Sequence, residues 1–294
     1  MFDGFERKQI TTSGTTINLM HGGSGPPLLL LHGYPQTHVM WHKVALRLAQ
    51  DFTVVASDLR GYGDSGKPPG DSEHVTYSKR VMAQDQVEVM QQLGHDEFFV
   101  AAHDRGARVA HRMALDHPQR VRKLALLDIR PTRDMFSNVN KEMATGTWHW
   151  FFLIQPYDFP ERIIGASADY FLRSRFQRVP DAARLFPPEV LDEYARCFCD
   201  PAAIHATCED YRAAATIDLE HDRKDLGRKI AMPVLVLWGK QGVIARMFRP
   251  LADWREVARD VRGRALDCGH FLPEEKPVEV LTELRRFLAR HRDR

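Results

Sequence analysis

The sequence predicts an α/β fold: a mostly parallel central sheet flanked by helices and interrupted by an all-helical insertion. Three observations carry this. Strand-like apolar runs alternate with amphipathic stretches over residues 1–130, the alternation stops between about Pro131 and Lys229, and it resumes from Pro233. A chain of 294 residues can bury a sizeable core as one large domain carrying an insertion. The expected division is a first core part over 1–130, a helical cap over 131–229 and a second core part over 230–294.

Lys8 to Met20 reads as two short strands around the Ser13-Gly14 turn, and Pro27 to Leu31 is the continuous apolar run of a buried central strand. That run ends in His32-Gly33-Tyr34-Pro35. A helix over about Met40 to Gln50, a strand over Phe52 to Ser57 and the loop Asp58 to Gly66 follow, the loop reading as a scaffold ion-paired through Asp58 and Arg60. The amphipathic stretch Ser78 to Leu93 is closed by Gly94. A β-rich run from Glu97 to Ala101 then delivers Asp104 into a tight turn, and the helix leaving it is stopped at His117 by Pro118. Val121 to Leu127 is a further strand, ending at Asp128.

In the insertion, aromatic and apolar residues recur at helical spacing, and Pro131, Pro156, Pro160, Pro180, Pro187, Pro188 and Pro201 divide it into short helices. The core pattern returns with a strand over Pro233 to Trp238, a helix near Phe248 to Ala258, a strand over Val261 to Leu266, the loop Asp267-Cys268-Gly269-His270, and a last helix from Pro277 to His291. Ligands of open parallel sheets bind beyond the carboxyl ends of the strands. Asp104, Asp128, His270 and the His32-Gly33-Tyr34 turn all fall at such ends.

Forty-one basic against 39 acidic residues leave a net charge of +2, so no field favours nucleic acid or a membrane surface. Mean hydropathy is −0.39 and the first residues lack a signal peptide's basic start and apolar run, so the expected location is cytoplasmic. Cys197, Cys199, Cys208 and Cys268 are irregularly spaced, which suits reduced, buried thiols rather than a disulfide framework or a metal pair. His21, His38, His42 and His205 show no metal-ligand spacing with acids or thiols.

The stretch Ala102-His103-Asp104-Arg105-Gly106 has small residues on either side of an acid, as a strand-turn-helix elbow requires. Asp104 is therefore read as a nucleophile, since a carboxylate is ionised near neutral pH without a base and can displace a leaving group from an sp³ carbon. His103 beside it is assigned a structural role. Arg105 and Arg108 follow on one helical face, at a helix N-terminus that tolerates cations poorly. An anionic ligand explains that pair.

Taken together, His32-Gly33-Tyr34-Pro35, Asp58 to Ser65, the elbow and Gly269-His270-Phe271 resemble, in order, the motifs of the α/β-hydrolase superfamily. Asp at the elbow with Arg105 and Arg108 resembles its haloacetate dehalogenases, and Trp148-His149-Trp150 resembles their fluoroacetate-cleaving branch. Haloalkane dehalogenases and epoxide hydrolases usually carry Trp after the Asp. The resemblance implies Asp104, His270 and Asp128 as the catalytic set: His270 activates water against an aspartyl ester, and Asp128 supplies the acid absent from Gly239 to Ile244. It implies an oxyanion hole from the Tyr34 and Arg105 backbone N–H groups, a substrate carboxylate on Arg105 and Arg108, and halide donors His149, Trp150 and Tyr211, with Trp148 left to packing. No cofactor and no metal is expected, the partner is a small halogenated carboxylic acid, and relatives are commonly homodimers. An epoxide hydrolase, which needs two cap Tyr hydroxyls, or a non-catalytic ligand-binding relative are the alternatives.

Overall fold

The computed structural model describes residues 1–137 and 139–289. Eight strands form one sheet: β1 (Glu6–Thr11), β2 (Thr16–Gly22), β3 (Pro27–Leu31), β4 (Thr53–Ser57), β5 (Phe98–His103), β6 (Val121–Leu127), β7 (Val234–Gly239) and β8 (Val261–Leu266), in the order β1-β2-β4-β3-β5-β6-β7-β8. β2 runs antiparallel to β1 and β4, and every other pairing is parallel. The apolar runs are central because they can be buried on both faces: Leu28 to Leu31, Val100 to Ala102 and Leu124 to Leu127 are wholly excluded from solvent. Each such leucine contributes about 1.5–3 kcal/mol by burial.

Register positions the site. Leu31 pairs with Ala102, His103 with Leu127, and Leu127 with Leu237. The chain therefore leaves β3, β5 and β6 at one level and on one side, at Gly33-Tyr34, Asp104 and Asp128. Helices α1 (His42–Leu48), α2 (Lys79–Gln92) and α3 (Asp104–Asp116) belong to the first part of the core. Ser78 accepts a hydrogen bond from the Val81 N–H and caps α2. The single helix expected over Met40 to Gln50 is broken into a 3₁₀ turn, His38–Trp41, and α1, because Asp58 and Thr37 accept backbone N–H groups of that first turn.

Between β6 and β7 the described residues contain helices and no strand. Three of the prolines read as dividers, Pro160, Pro188 and Pro201, occupy first helical turns, where the missing N–H is harmless. Helix Pro201–Ala215 runs deepest, burying Ile204, Cys208, Asp210 and Tyr211. After β7, residues 239–244, expected as a loop, lead into a short helix, Val243–Met247. The last helix is Pro277–Leu288; its expected end at His291 lies outside the described residues. No described helix is long and apolar enough to cross a membrane.

Candidate active site

Asp104 opens α3 directly from β5 with φ 45°, a left-handed conformation that costs a non-glycine residue about 1–3 kcal/mol and persists only where the surroundings impose it. Two glycines make room. A Cβ on Gly106 would overlap the His32 carbonyl, and one on Gly33 would overlap Asp104 itself. The Tyr34 N–H donates to Asp104 Oδ1 at 3.0 Å, while His270 Nε2 stands 3.8 Å from Oδ2. His270 Nδ1 lies 2.6 Å from Asp128 Oδ2, and the Gly239 N–H donates to Oδ1 of the same carboxylate at 3.0 Å. A carboxylate can only accept, so Nδ1 carries the proton and Nε2 of the neutral ring turns a lone pair toward Asp104. His103 donates from Nε2 to the His270 carbonyl at 2.8 Å, a structural role, and burial holds its pKa down at about 3.

Burial by itself would raise the Asp104 pKa, yet His270, His103, Arg105 and the Tyr34 N–H outweigh it and hold the carboxyl below its ordinary value. Burial acts downward on His270, and Asp128 and then Asp104 overcome it, leaving the ring more basic than a free histidine.

The two arginines differ. Arg105 is fully buried and binds Asp210 by Nε to Oδ2 at 2.8 Å and Nη2 to Oδ1 at 2.7 Å, with Nη2 also donating to the Asp210 carbonyl at 2.6 Å. Lys79 and the Tyr62 hydroxyl converge on the same carboxylate. Only Arg105 Nη1 is left without a partner, and Arg105 does not line the cavity. Arg108 does line it. Its Nη1 donates to the Arg130 carbonyl and to Thr132 Oγ1, its guanidinium lies 4.6 Å from the Trp150 ring centre, and Nε and Nη2 have no partner. It forms no ion pair with any described carboxylate, and burial together with Arg105 lowers its pKa to about 10. The uncompensated cation is thus Arg108, not an equal pair.

The cavity measures about 510 Å³ and is bounded by Tyr34, Asp104, Asp128 and His270 on the core side and by His149, Trp150 and Arg175 on the cap side. Tyr211 touches this wall with its ring, its centroid 5.4 Å from that of Trp150 and 5.8 Å from that of His149. Its hydroxyl is buried without a partner, as is that of Tyr34. Trp148, expected to pack in the interior, also lines the cavity, because the turn at Thr147 brings the whole start of helix Trp148–Leu153 to its edge. Among the described residues no group of three or more His, Cys, Asp or Glu side chains is arranged to hold a metal ion.

The sequence model for the α/β hydrolase fold matches residues 26–277. The chain belongs to the α/β-hydrolase family. This hydrolase is 48% identical over 290 residues to a fluoroacetate dehalogenase from a Burkholderia species, covering 98% of this chain and 95% of the relative. It is 36% identical to a soluble epoxide hydrolase from a Corynebacterium species, covering 96% of each. Among solved structures, one described as an α/β hydrolase from Nostoc is 60% identical, with a TM-score of 0.97 over 98% of this chain and 99% of that one.

Sequence reasoning missed Asp210 and Arg175. Asp210 stands beside the chosen Tyr211, but nothing local signals a partner on α3. The 58–66 loop of the hydrolase is ion-paired as expected, each charge to a partner on another element: Arg60 binds Asp85 through two bonds of 2.7 Å, and Asp58 accepts from His38 at 2.9 Å. Cys197, Cys208 and Cys268 are buried free thiols, whereas Cys199 is exposed at the end of its helix.

Proposed function

We propose that the protein is a haloacetate dehalogenase that hydrolyses a short halogenated carboxylate, fluoroacetate or chloroacetate, to glycolate and halide. One observation carries the reading: an ionised carboxylate in a strained elbow shares a cavity with an arginine, Arg108, whose Nε and Nη2 donors are unclaimed. A substrate carboxylate on those donors gains about 1.5–3 kcal/mol per charge-assisted bond, which offsets its repulsion from Asp104. Arg105, already neutralised by Asp210, adds one N–H rather than a second free charge.

Asp104 Oδ2 attacks the α-carbon in line. The carbon–halogen bond breaks with its electron pair on the halide, and an aspartyl ester forms. His149, Trp150 and Tyr211 donate to the departing anion. Water then attacks the ester carbonyl, giving its proton to His270 Nε2 while Asp128 supports the imidazolium. The Tyr34 N–H stabilises the tetrahedral oxyanion on Oδ1; the Arg105 amide, in the first turn of α3 where N–H groups lack helical partners, is the second donor. The Asp104 Cγ–Oδ2 bond breaks, the departing alkoxide takes the proton back from His270 Nε2, and glycolate leaves with a water-derived oxygen retained in the Asp104 carboxylate.

Fluoride-electrode measurement on fluoroacetate tests the activity, and a single turnover in ¹⁸O-water tests the chemistry. Label is expected in Asp104 and not in the first glycolate; label appearing directly in glycolate refutes the ester. His270→Asn should trap the ester, and loss of ester formation in that variant contradicts the base role. A second reading, epoxide opening, is favoured by the Corynebacterium relative and by one unpartnered cap hydroxyl, that of Tyr211. Diol from styrene oxide, without halide from chloroacetate, would select it.

A further inference from the structure

His149 Nδ1 lies 3.1 Å from Arg175 Nη2. A guanidinium has donors only, so Nδ1 must accept, and the single proton of a neutral imidazole is left on Nε2. The ring plane is fixed as well: His149 stacks on Tyr34 at 5.7 Å with 16° between planes and meets Tyr211 edge-on. Arg175 is itself braced, its guanidinium 5.7 Å from the ring centres of both Tyr34 and Trp148.

We propose that Arg175 is a positioning residue that locks His149 as a neutral Nε2–H donor, so that its N–H and never its lone pair faces the anion leaving the substrate. This rests on the dehalogenase reading for its consequence, not for its geometry. The groups facing His149 agree. Burial first, then Arg175 from helix Ala168–Phe176, His270 from the loop after β8 and Arg105 from α3 all disfavour a second proton on the ring. The other tautomer would turn a bare nitrogen toward the halide. Fluoride, the smallest and most strongly hydrogen-bonded halide, would lose most. Losing one such donor is worth about 10²–10³ in rate at comparable sites.

Two measurements test this. In wild-type protein labelled with ¹⁵N-histidine, long-range correlation spectra at neutral pH should show His149 with Nε2 protonated and Nδ1 bare; Nδ1–H or an imidazolium overturns the proposal without any variant. In Arg175→Met, both tautomers should appear, and kcat for fluoroacetate should fall at least about tenfold more than kcat for bromoacetate. Arg175→Lys, which still donates, should restore the single tautomer and part of the discrimination. An equal fall for both halides, or a rise confined to KM, makes Arg175 a substrate-carboxylate ligand and refutes the assignment. A wild-type Nε2–H tautomer that becomes mixed in Arg175→Met, in a protein that turns over neither haloacetate, sustains the lock and rejects the dehalogenase reading alone.

Discussion

His270 and Asp104 are coupled by charge, and in the proposed mechanism the coupling would change on esterification of Asp104. Nε2 and Oδ2 stand 3.8 Å apart. At an effective dielectric of about 20, unit charges at that separation interact by about 4 kcal/mol, a ceiling of about 3 pH units. With the His270 side chain 35% exposed, screening brings the expected effect to about 1–2 pH units. The Asp104 carboxylate thus raises the pKa of His270 in the resting enzyme. Ester formation, as proposed, would remove that charge, leaving the ring less basic and more fully deprotonated when a base is needed. Asp104→Asn mimics the neutralised state. Its His270, followed by NMR titration, should lose its proton about 1–2 pH units below wild type. An unchanged or higher titration point in Asp104→Asn would refute the coupling.

Other perturbations reach the supports of the site. Asp210→Asn leaves Arg105 buried without its carboxylate and Lys79 with Asp218 alone, and should cost about 3–5 kcal/mol, a fall of about 10 °C in thermal midpoint; a midpoint within a degree of wild type contradicts the buried ion-pair account. Gly33→Ala drives a methyl into Asp104, so halide release should vanish while far-UV circular dichroism stays native; full activity would show that the elbow yields easily. Glu274, held by Gln36 and Tyr194, has its pKa raised by burial to about 8. Its protonation favours the folded state, so the contribution is complete below the unfolded carboxyl's value of about 4.3 and is lost as pH rises through about 8. Glu274→Gln should flatten that decline in chemical denaturation, and parallel curves for variant and wild type would count against it.

Much of this was legible in the sequence because the controlling interactions are local. β3, β6 and β8 coincide with the expected runs. In β3 and β6 the four consecutive apolar residues Leu28 to Leu31 and Leu124 to Leu127 have few places to go except a buried sheet. The elbow was legible because a small residue, an acid and a glycine at fixed spacing answer one backbone requirement. Partner choice was not legible. Arg105 finds Asp210 across 105 positions, and Arg175 finds His149 across 26, and each pair depends on a cap helix whose orientation is set by packing. Trp148 reaches the cavity edge for the same reason: helical spacing says which residues share a face, not which face meets the core.

The convergence of Arg105, Lys79 and Tyr62 on Asp210 also bears on traffic. Asp210 belongs to the cap helix Pro201–Ala215, and its three partners belong to α3, α2 and the loop after β4. Lifting the cap as a rigid body would tear a dry carboxylate from two cations at once, a motion far too costly to recur at every turnover. Under the proposed function, substrate and product would then exchange with the cap in place, through a cavity that Thr147, Trp148, Arg178, Val243 and Arg246 help to line. Selection among acids would fall to those fixed walls as much as to Arg108.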